Sequence, residues 1–326
     1  MKRVFRAAAL AALLFILLPV TARAEQLIPV GRVIGIQLQS GSVTVAAFDD
    51  ALGSHAREAG LRIGDEIIKI DDCSVTCAQD VHNALDRCGS SVLITVLRNG
   101  RESRIPMEPT LSEGKARLGV YLRQGIAGIG TVTWYDPETG IFGTLGHGVS
   151  DGKGKLVTMT SGQAYDADIL SVTKGKCGDP GQLKGSADAS QPFGTLTKNT
   201  PQGVFGITEQ GWAGTALPTA EYAQIRTGKA TILSTVDNHG PREYSVEILK
   251  IYPEDRSDCR NLLLRITDPA LLNTTGGIVQ GMSGSPIIQD GKLIGAVTHV
   301  LVNDPTRGYG IFIENMLDAA TSAPPQ

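Results

Sequence analysis

Aromatic side chains are scarce in this chain of 326 residues: phenylalanine, tryptophan and tyrosine together make up 5% of it. Glycine, in contrast, occurs 39 times, which is well above its usual share of about 7%. Beyond residue 115, no run of ten or more residues has a helical period until residues 313–319. This pattern disfavours a bundle of helices and predicts a mainly β protein with many short strands and tight turns.

Strong charge and a metal-binding cysteine pattern are also missing. The formal net charge is −3, which provides no basic surface for nucleic acid. Of the five cysteines, Cys73 and Cys77 are closely spaced, but no second Cys or His pair follows at zinc-finger distance. We therefore expect no nucleic-acid partner, no metal and no cofactor.

Long hydrophobic runs are confined to the start of the chain. Lys2, Arg3 and Arg6 precede the apolar residues 7–20, and Ala22-Arg23-Ala24 follows them. This is the pattern of a secretory signal peptide. The run is shorter than the roughly 20 residues that a spanning helix needs, although an uncleaved signal would still tether the chain. We expect residues 1–24 to be a signal peptide or membrane anchor, and the protein to be exported from the cytoplasm.

The next segment has the pattern of a small α/β domain. Residues 42–48 alternate like a strand, residues 76–87 have a helical period, and Asn99-Gly100 is a typical hairpin turn. From Ala59 to Asp71 the sequence reads Ala-Gly-Leu-Arg-Ile-Gly-Asp-Glu-Ile-Ile-Lys-Ile-Asp. This string closely resembles part of a PDZ domain.

The resemblance implies a PDZ domain over residues 25–110 and a peptide as its ligand. PDZ domains add a peptide as a strand beside one helix, and backbone N–H groups of a glycine-containing loop hold its terminal carboxylate. In this sequence that loop would be Ile34-Gly35-Ile36.

Residues 111–326 have a different pattern, in which glycines separate short alternating strands such as residues 130–134 and 141–145. The economical interpretation is an all-β domain folded as two small barrels or a sandwich.

Within that domain, Gly281-Met282-Ser283-Gly284-Ser285-Pro286 precedes a hairpin of β-branched residues. A serine between glycines on a tight turn can present its hydroxyl as a nucleophile. The backbone N–H groups of Gly281 and Ser283 could then form an oxyanion hole, in which preorganised donors stabilise a tetrahedral intermediate. An isolated string of this kind is more often a simple turn, so the assignment depends on the rest of the chain.

A serine nucleophile needs a base, and the base needs an orienting group. His147 is flanked by glycines at the end of a predicted strand, which favours it as the base; His299, on the strand after the serine turn, is the main competitor. The residue pattern does not separate the candidate acids, which are Asp151, Asp179, Asp188, Asp237 and Asp268.

Two motifs together are similar to the stage IV sporulation protein B peptidase family. They are Gly-His-Gly-Val-Ser-Asp at residues 146–151 and Gly-Met-Ser-Gly-Ser-Pro-Ile-Ile at residues 281–288, with the continuation over residues 294–311. The resemblance implies a chymotrypsin-like double β-barrel in which His147 is the base, Asp268 the orienting acid and Ser283 the nucleophile. In most such barrels the acid lies in the first half, where Asp188 is found.

The resemblance also implies a biological role. It predicts a secreted serine endopeptidase that processes itself and cleaves a membrane-anchored regulatory protein in sporulation signalling, in the space between the membranes of a developing spore. The alternative is a non-catalytic PDZ adaptor with a protease-like domain, in which at least one of His147, Asp268 and Ser283 would be expected to be missing.

Overall fold

The computed structural model describes residues 25–152, 154–253 and 258–322, so the predicted signal peptide at residues 1–24 lies outside the described residues. No helix in these ranges combines the length and apolar character needed to cross a bilayer. The strands are β1 (Gln26–Pro29), β2 (Val33–Phe48), β3 (Glu66–Ile70), β4 (Cys73–Ser74), β5 (Val92–Arg98), β6 (Arg101–Met107), β7 (Thr110–Ser112), β8 (Lys115–Arg117), β9 (Val120–Tyr135), β10 (Ile141–Thr144), β11 (Met159–Thr173), β12 (Gln182–Thr200), β13 (Gly203–Thr208), β14 (Leu217–Pro218), β15 (Gly228–Ser234), β16 (Arg242–Ile251), β17 (Leu262–Ile266), β18 (Pro286–Gln289), β19 (Lys292–Leu301) and β20 (Asp304–Phe312). The helices are α1 (Ser54–Glu58), α2 (Ala78–Leu85), α3 (Pro269–Thr275) and α4 (Ile313–Thr321), with a 3-10 turn at Tyr222–Gln224.

Six strands close a first barrel in the order β2-β9-β10-β13-β12-β11. β2 pairs with β11 along one edge and with residues 126–131 of β9 along the other, and the second pairing closes the ring. Buried apolar side chains such as Ile36, Phe142 and Leu196 pack together in its core. Closure leaves the barrel strands without an exposed sheet edge.

A second barrel follows in the order β15-β16-β17-β20-β19-β18, closed by the pairing of β15 with β18. Its core includes Ile232, Leu264 and Ile287, all fully buried. The strand pairing of this chain therefore confirms the predicted mainly β fold with two successive barrels.

A small α/β unit is continuous with two strands of the first barrel. β2 and β9 are each 16 residues long, and their outer parts, residues 43–48 and 120–124, pair with each other beyond the barrel. β3, β5 and β6 extend this sheet, and the α2 residues Val81, Ala84 and Leu85 are buried in its core. The arrangement is consistent with the predicted PDZ domain.

The predicted division at residues 25–110 and 111–326 differs from the structure. β1 pairs with β9 and β14, and residues 33–38 of β2 belong to the first barrel. The described part of the chain thus runs first through the barrel in β2, leaves it to form the α/β unit, and returns along β9. The alternation of apolar and polar residues cannot show where the chain passes from the barrel to the α/β unit. β2 and β9 are each one continuous strand, with the same two-residue period in both parts.

The placement of the PDZ carboxylate loop at Ile34-Gly35-Ile36 is wrong for the same reason. These residues lie inside β2, with β9 paired on one side and β11 on the other. Their backbone N–H groups are used within the barrel, and a Cβ atom added to Gly35 would come within 2.3 Å of the Cβ of Ala187. A peptide carboxylate therefore has no access to this segment.

Candidate active site

The Ser283 turn is held against the first barrel by Thr131. The Thr131 N–H donates to the carbonyl oxygen of Ser283 at 3.0 Å, and its hydroxyl donates to the carbonyl oxygen of Gly281 at 2.8 Å. Gly284 has a φ of +96°, and an added Cβ would approach the Thr131 carbonyl oxygen to 2.0 Å. Glycine is required here by both the left-handed backbone and the close approach.

The same threonine binds the loop that carries His147. Its carbonyl oxygen accepts hydrogen bonds from the N–H of Leu145 at 3.2 Å and from the hydroxyl of Thr144 at 2.6 Å. Leu145 has a φ of +69°, which is uncommon for a residue with a side chain and reverses the chain just before His147. Fully buried Thr131 therefore fixes the serine turn and the histidine loop relative to each other.

His147 is half-buried and has the tautomer that a general base requires. Its Nδ1 lies 3.0 Å from the carbonyl oxygen of Gly148, and because a carbonyl only accepts, Nδ1 carries the proton. Nε2 is then left with a lone pair. Burial lowers the pKa of His147 below its ordinary value, although the hydrogen bond to Gly148 opposes that shift. The imidazole is therefore neutral at neutral pH.

Ser283 is half-buried, and its hydroxyl donates to the carbonyl oxygen of Thr298 at 2.8 Å. Within the described part of the chain, no hydrogen bond joins this hydroxyl to an imidazole. The nearby Ser285 is fully buried; its hydroxyl donates to the Met282 carbonyl oxygen at 2.7 Å and forms a second hydrogen bond, of 3.0 Å, with the Ser234 hydroxyl. Ser285 thus braces the turn, whereas Ser283 is the hydroxyl at the surface of the site.

The backbone N–H groups of the serine turn differ in their hydrogen bonding. Met282, Gly284 and Ser285 each donate their N–H to a backbone carbonyl. The N–H groups of Gly281 and Ser283, in contrast, have no acceptor among the described residues. Two unused donors on either side of a buried methionine leave the turn able to bind an oxyanion.

His299 lies beside His147, with the two ring centres 5.1 Å apart and the ring planes inclined by 37°. Burial, followed by the proximity of His147 and Arg260, lowers the pKa of His299 to about 4, and Asp258 opposes this shift. The Nδ1 atom of His299 is buried and has no hydrogen-bond partner among the residues that the structure describes. The sequence identified His299 as a competing base but did not show that the two imidazoles are neighbours.

Asp268 is not part of this cluster. Its carboxylate is the N-cap of α3, where it accepts hydrogen bonds from the N–H groups of Ala270 at 2.9 Å and Leu271 at 3.0 Å. Its other oxygen lies 3.3 Å from the N–H of Ser245. No hydrogen bond links Asp268 to either histidine of the cluster in the described ranges.

Strand register explains the separation. Leu263 of β17 and His299 of β19 both pair with Tyr309 of β20. Asp268 lies five residues beyond Leu263, which corresponds to about 16 Å of extended chain. The orienting role that the family resemblance implies for Asp268 therefore has no support in this geometry.

Asp188, the alternative acid, also lies outside the cluster of His147 and His299. It is exposed on β12, where the hydroxyl and N–H of Ser190 bind its carboxylate and lower its pKa. The structure thus places His147 beside His299, with Ser283 bound to the residue before His299, and it leaves Asp188 and Asp268 outside this cluster. Within the described residues, no group of three or more His, Cys, Asp or Glu side chains is placed to hold a metal ion.

Comparison with known proteins gives matches of different extent. A segment of 79 residues, 24% of this chain, is 38% identical to a curated Agrobacterium fabrum protein named as a zinc metalloprotease, Atu1380. The segment spans only 21% of that relative's length.

Among solved structures, the Rv3671c protease of M. tuberculosis in its active form is 15% identical, with 63% of this chain and 78% of that chain covered and a TM-score of 0.37. The HtrA-type protease AlgW, solved with a decapeptide, is 14% identical, with 66% and 60% covered and the same TM-score. The two barrels are established by the strand pairing of this chain itself.

The family comparison covers much more of the molecule. The family model described as SpoIVB peptidase S55 matches residues 114–317, more than half of the chain, and the match includes His147, Ser283 and His299. The chain belongs to the SpoIVB peptidase S55 family, whose members are serine peptidases.

Proposed function

We propose that this protein is a serine endopeptidase in which Ser283 is the nucleophile and His147 the general base. The observation that carries the proposal is the double attachment of Thr131, which binds the Ser283 turn through its N–H and hydroxyl and the His147 loop through its carbonyl oxygen. Nucleophile and base are thereby held at the junction of the two barrels, beside the unused N–H groups of Gly281 and Ser283.

The reaction follows from these positions. The Ser283 hydroxyl rotates away from the Thr298 carbonyl oxygen and attacks the carbonyl carbon of the substrate, while its proton passes to Nε2 of His147. The carbonyl oxygen becomes an oxyanion, which the N–H groups of Gly281 and Ser283 stabilise. The C–N bond then breaks as His147 returns the proton to the leaving amine, and water hydrolyses the acyl group on Ser283 in the same way.

A peptide-binding function of the α/β unit is a second part of the proposal, with the groove moved from residues 34–36 to β9. Residues 120–124 of β9 pair with β2 on one side. α2 packs near this segment: its Ala78 N–H donates to the side-chain oxygen of Gln124 at 3.0 Å, and Val81 shares a core with Val120 and Leu122.

The carboxylate loop would then be Arg117-Leu118-Gly119, directly before this strand. Gly119 has a φ of +68°, a conformation in which consecutive backbone N–H groups can turn toward one point. A strand, a helix and a glycine loop at the strand's start are the parts with which a PDZ domain binds a peptide terminus.

The biological setting is proposed from the family resemblance. It comprises export through residues 1–24, self-processing, and cleavage of a membrane-anchored regulatory protein during sporulation. The α/β unit would select the protein target, since it is continuous with the barrel that carries His147.

Purified full-length protein provides the test. The parent chain is expected to cleave itself and an unstructured protein such as casein, and Ser283→Ala to do neither, with unchanged circular dichroism. Ser285→Ala is the matched control and should remain active. Absence of any cleavage by the folded parent would favour the non-catalytic adaptor.

A further inference from the structure

Cys259, in the segment before β17, binds the residue that also binds the nucleophile. Its carbonyl oxygen accepts a hydrogen bond from the hydroxyl of Thr298 at 3.1 Å. The carbonyl oxygen of Thr298 in turn accepts from the hydroxyl of Ser283 at 2.8 Å. Cys259 has a φ of +56°, which is uncommon for a residue with a side chain and turns the chain at this point. One threonine therefore joins the nucleophile to the residue directly before Arg260.

The side chain of Cys259 joins the same segment to the loop that carries the base. Its thiol donates to the carbonyl oxygen of Pro201, between β12 and β13 of the first barrel, at 2.9 Å. That carbonyl oxygen also accepts from the N–H of Gly148, the residue directly after His147, at 3.2 Å. Contacts with both barrels thus hold the backbone before Arg260 at the edge of the candidate active site.

The guanidinium of Arg260 lies over the ring of Tyr309, 5.1 Å from the ring centre. Tyr309 is the β20 residue that pairs with His299. Arg260 is half-buried, and its Nε is buried without a hydrogen-bond partner among the described residues. An aromatic face attracts a guanidinium and fixes its plane, but it provides no acceptor for the N–H groups.

Arg260 also differs from the arginines of the adjacent strands in its charge pairing. Arg265 of β17 forms an ion pair with Glu247, and Arg307 of β20 lies 3.2 Å from Asp304. No carboxylate in the part of the chain that the structure describes forms such a pair with Arg260. Burying a charge without a partner is unfavourable. A carboxylate from a bound molecule would provide that partner, since the planar guanidinium can donate two parallel hydrogen bonds to it.

The neighbouring groups leave Arg260 as a fixed positive charge beside two neutral imidazoles. Burial lowers the pKa of His147 and of His299 below the ordinary value. The charged and titratable groups that act on His299 are His147, Arg260 and, with the opposite effect, the exposed Asp258. An anionic side chain that enters beside the imidazoles would therefore meet a permanent cation at Arg260.

From these contacts we propose that Arg260 is a specificity-determining residue, which binds the side-chain carboxylate of an Asp or Glu in the substrate close to the bond that is cleaved. Because Nε is covered, the carboxylate would accept hydrogen bonds from the two terminal Nη groups. Tyr309 already holds the guanidinium in place, so little side-chain freedom is lost on binding. The inference rests on the proposed peptidase activity and adds to it a substrate class, namely sequences with an acidic residue at a fixed position near the cleavage site.

Paired peptides test the proposal on the full-length protein. Quenched fluorescent peptides carry Glu at one position after another around the cleavage site, each with a Gln counterpart, and kcat/KM is measured for every pair. At one position the parent is expected to prefer the Glu peptide by about 10- to 100-fold, the gain typical of hydrogen bonds to a charged group. Arg260→Gln should abolish this preference, and Arg260→Lys, which keeps the charge without the planar fork, should retain part of it.

Arg260→Glu gives a readout that a packing role would not move. A carboxylate at this position should reverse the preference, so that a Lys peptide is cleaved faster than its Gln counterpart. Arg307→Gln, at an exposed arginine of β20, is the matched control and should keep the parental preference. Thermal unfolding of each variant shows whether it is folded. Arg260→Met, which keeps an unbranched side chain over Tyr309, replaces the Gln variant if that variant does not fold.

The outcomes also separate this inference from the proposed function. If Ser283→Ala is inactive and the parent cleaves the Glu and Gln peptides equally at every position, the role of Arg260 is wrong and the peptidase stands. The role is also wrong if a folded Arg260→Gln protein keeps the parental preference. If Ser283→Ala is as active as the parent, or the folded parent cleaves none of the peptides, the proposed function itself has failed and the inference fails with it.

Discussion

The hydroxyl of Ser283 is 2.8 Å from the carbonyl oxygen of Thr298, the residue directly before His299. The nucleophile is therefore held by the backbone of β19 and must turn toward His147 to react. One strand, β19, thus carries both the resting partner of the serine and the second imidazole of the site.

The two serines of the turn should respond oppositely to substitution. Ser283→Ala is expected to lower turnover by about a millionfold with little change in stability, because its hydroxyl acts in the reaction. Ser285→Ala removes two buried hydrogen bonds and should lower the free energy of unfolding by about 1–3 kcal/mol, with activity retained. Peptide hydrolysis and urea denaturation of both variants check this pattern, and equal loss of activity in the two would contradict the assignment.

Asp268 should behave as a helix cap. Asn caps a helix as well as Asp, so Asp268→Asn should keep both stability and kcat, whereas Asp268→Ala should lower the free energy of unfolding by about 0.5–2 kcal/mol. Denaturation and kinetics at neutral pH distinguish the two roles. An Asp268→Asn protein with parental stability and a kcat reduced by about 10⁴-fold would restore the carboxylate as the orienting acid.

The apparent pKa at which kcat/KM falls on the acid side should lie below the ordinary histidine pKa of about 6.5. Burial lowers the pKa of His147, so its base form persists to lower pH than in a free imidazole. A kcat/KM profile between pH 4 and 8 in a buffer of constant ionic strength measures this apparent pKa. An apparent pKa above 7 would mean that a negative charge, not a neutral neighbour, acts on His147.

Stability should also depend on pH through His299. Its pKa is about 4 in the folded protein, whereas in the unfolded chain it is about 6.5. Between these values the unfolded chain binds more protons, so the free energy of unfolding should decrease as the pH falls through this window. Urea denaturation at several pH values measures the slope, which should be smaller in His299→Asn and unchanged in the exposed His239→Asn.

Gly35 should act as a barrel residue rather than as part of a peptide-binding loop. Gly35→Ala would bring a Cβ against Ala187, so we expect lower stability and equal losses in peptide and protein cleavage. Gly128→Ala, at an open position on the neighbouring β9, is the matched control. If the Gly35→Ala protein has parental stability and loses only protein cleavage, the result would support the predicted carboxylate loop at residues 34–36 of β2.

Local sequence signals predicted much of the fold and part of the site. The glycines around Ser283 and His147 indicated tight turns, and the structure has left-handed backbone at Gly281, Gly284 and Gly146. Asp268 followed by Pro269 is a local signal of an N-cap and a first helical residue, which the sequence analysis did not use and which agrees with the role of Asp268 in the structure. The path of β2 and the contact of His147 with His299 were not predictable, because both depend on pairing between distant strands.

Covalent labelling with a fluorophosphonate, which reacts with activated serines, tests the central claim most directly. Intact-mass and peptide mass spectrometry of the full-length protein should find one adduct, located on Ser283. The adduct should be absent in Ser283→Ala and should form far more slowly in His147→Ala, while Ser285→Ala should label as the parent does. An adduct that persists in Ser283→Ala, or a labelling rate that does not depend on His147, would contradict the account.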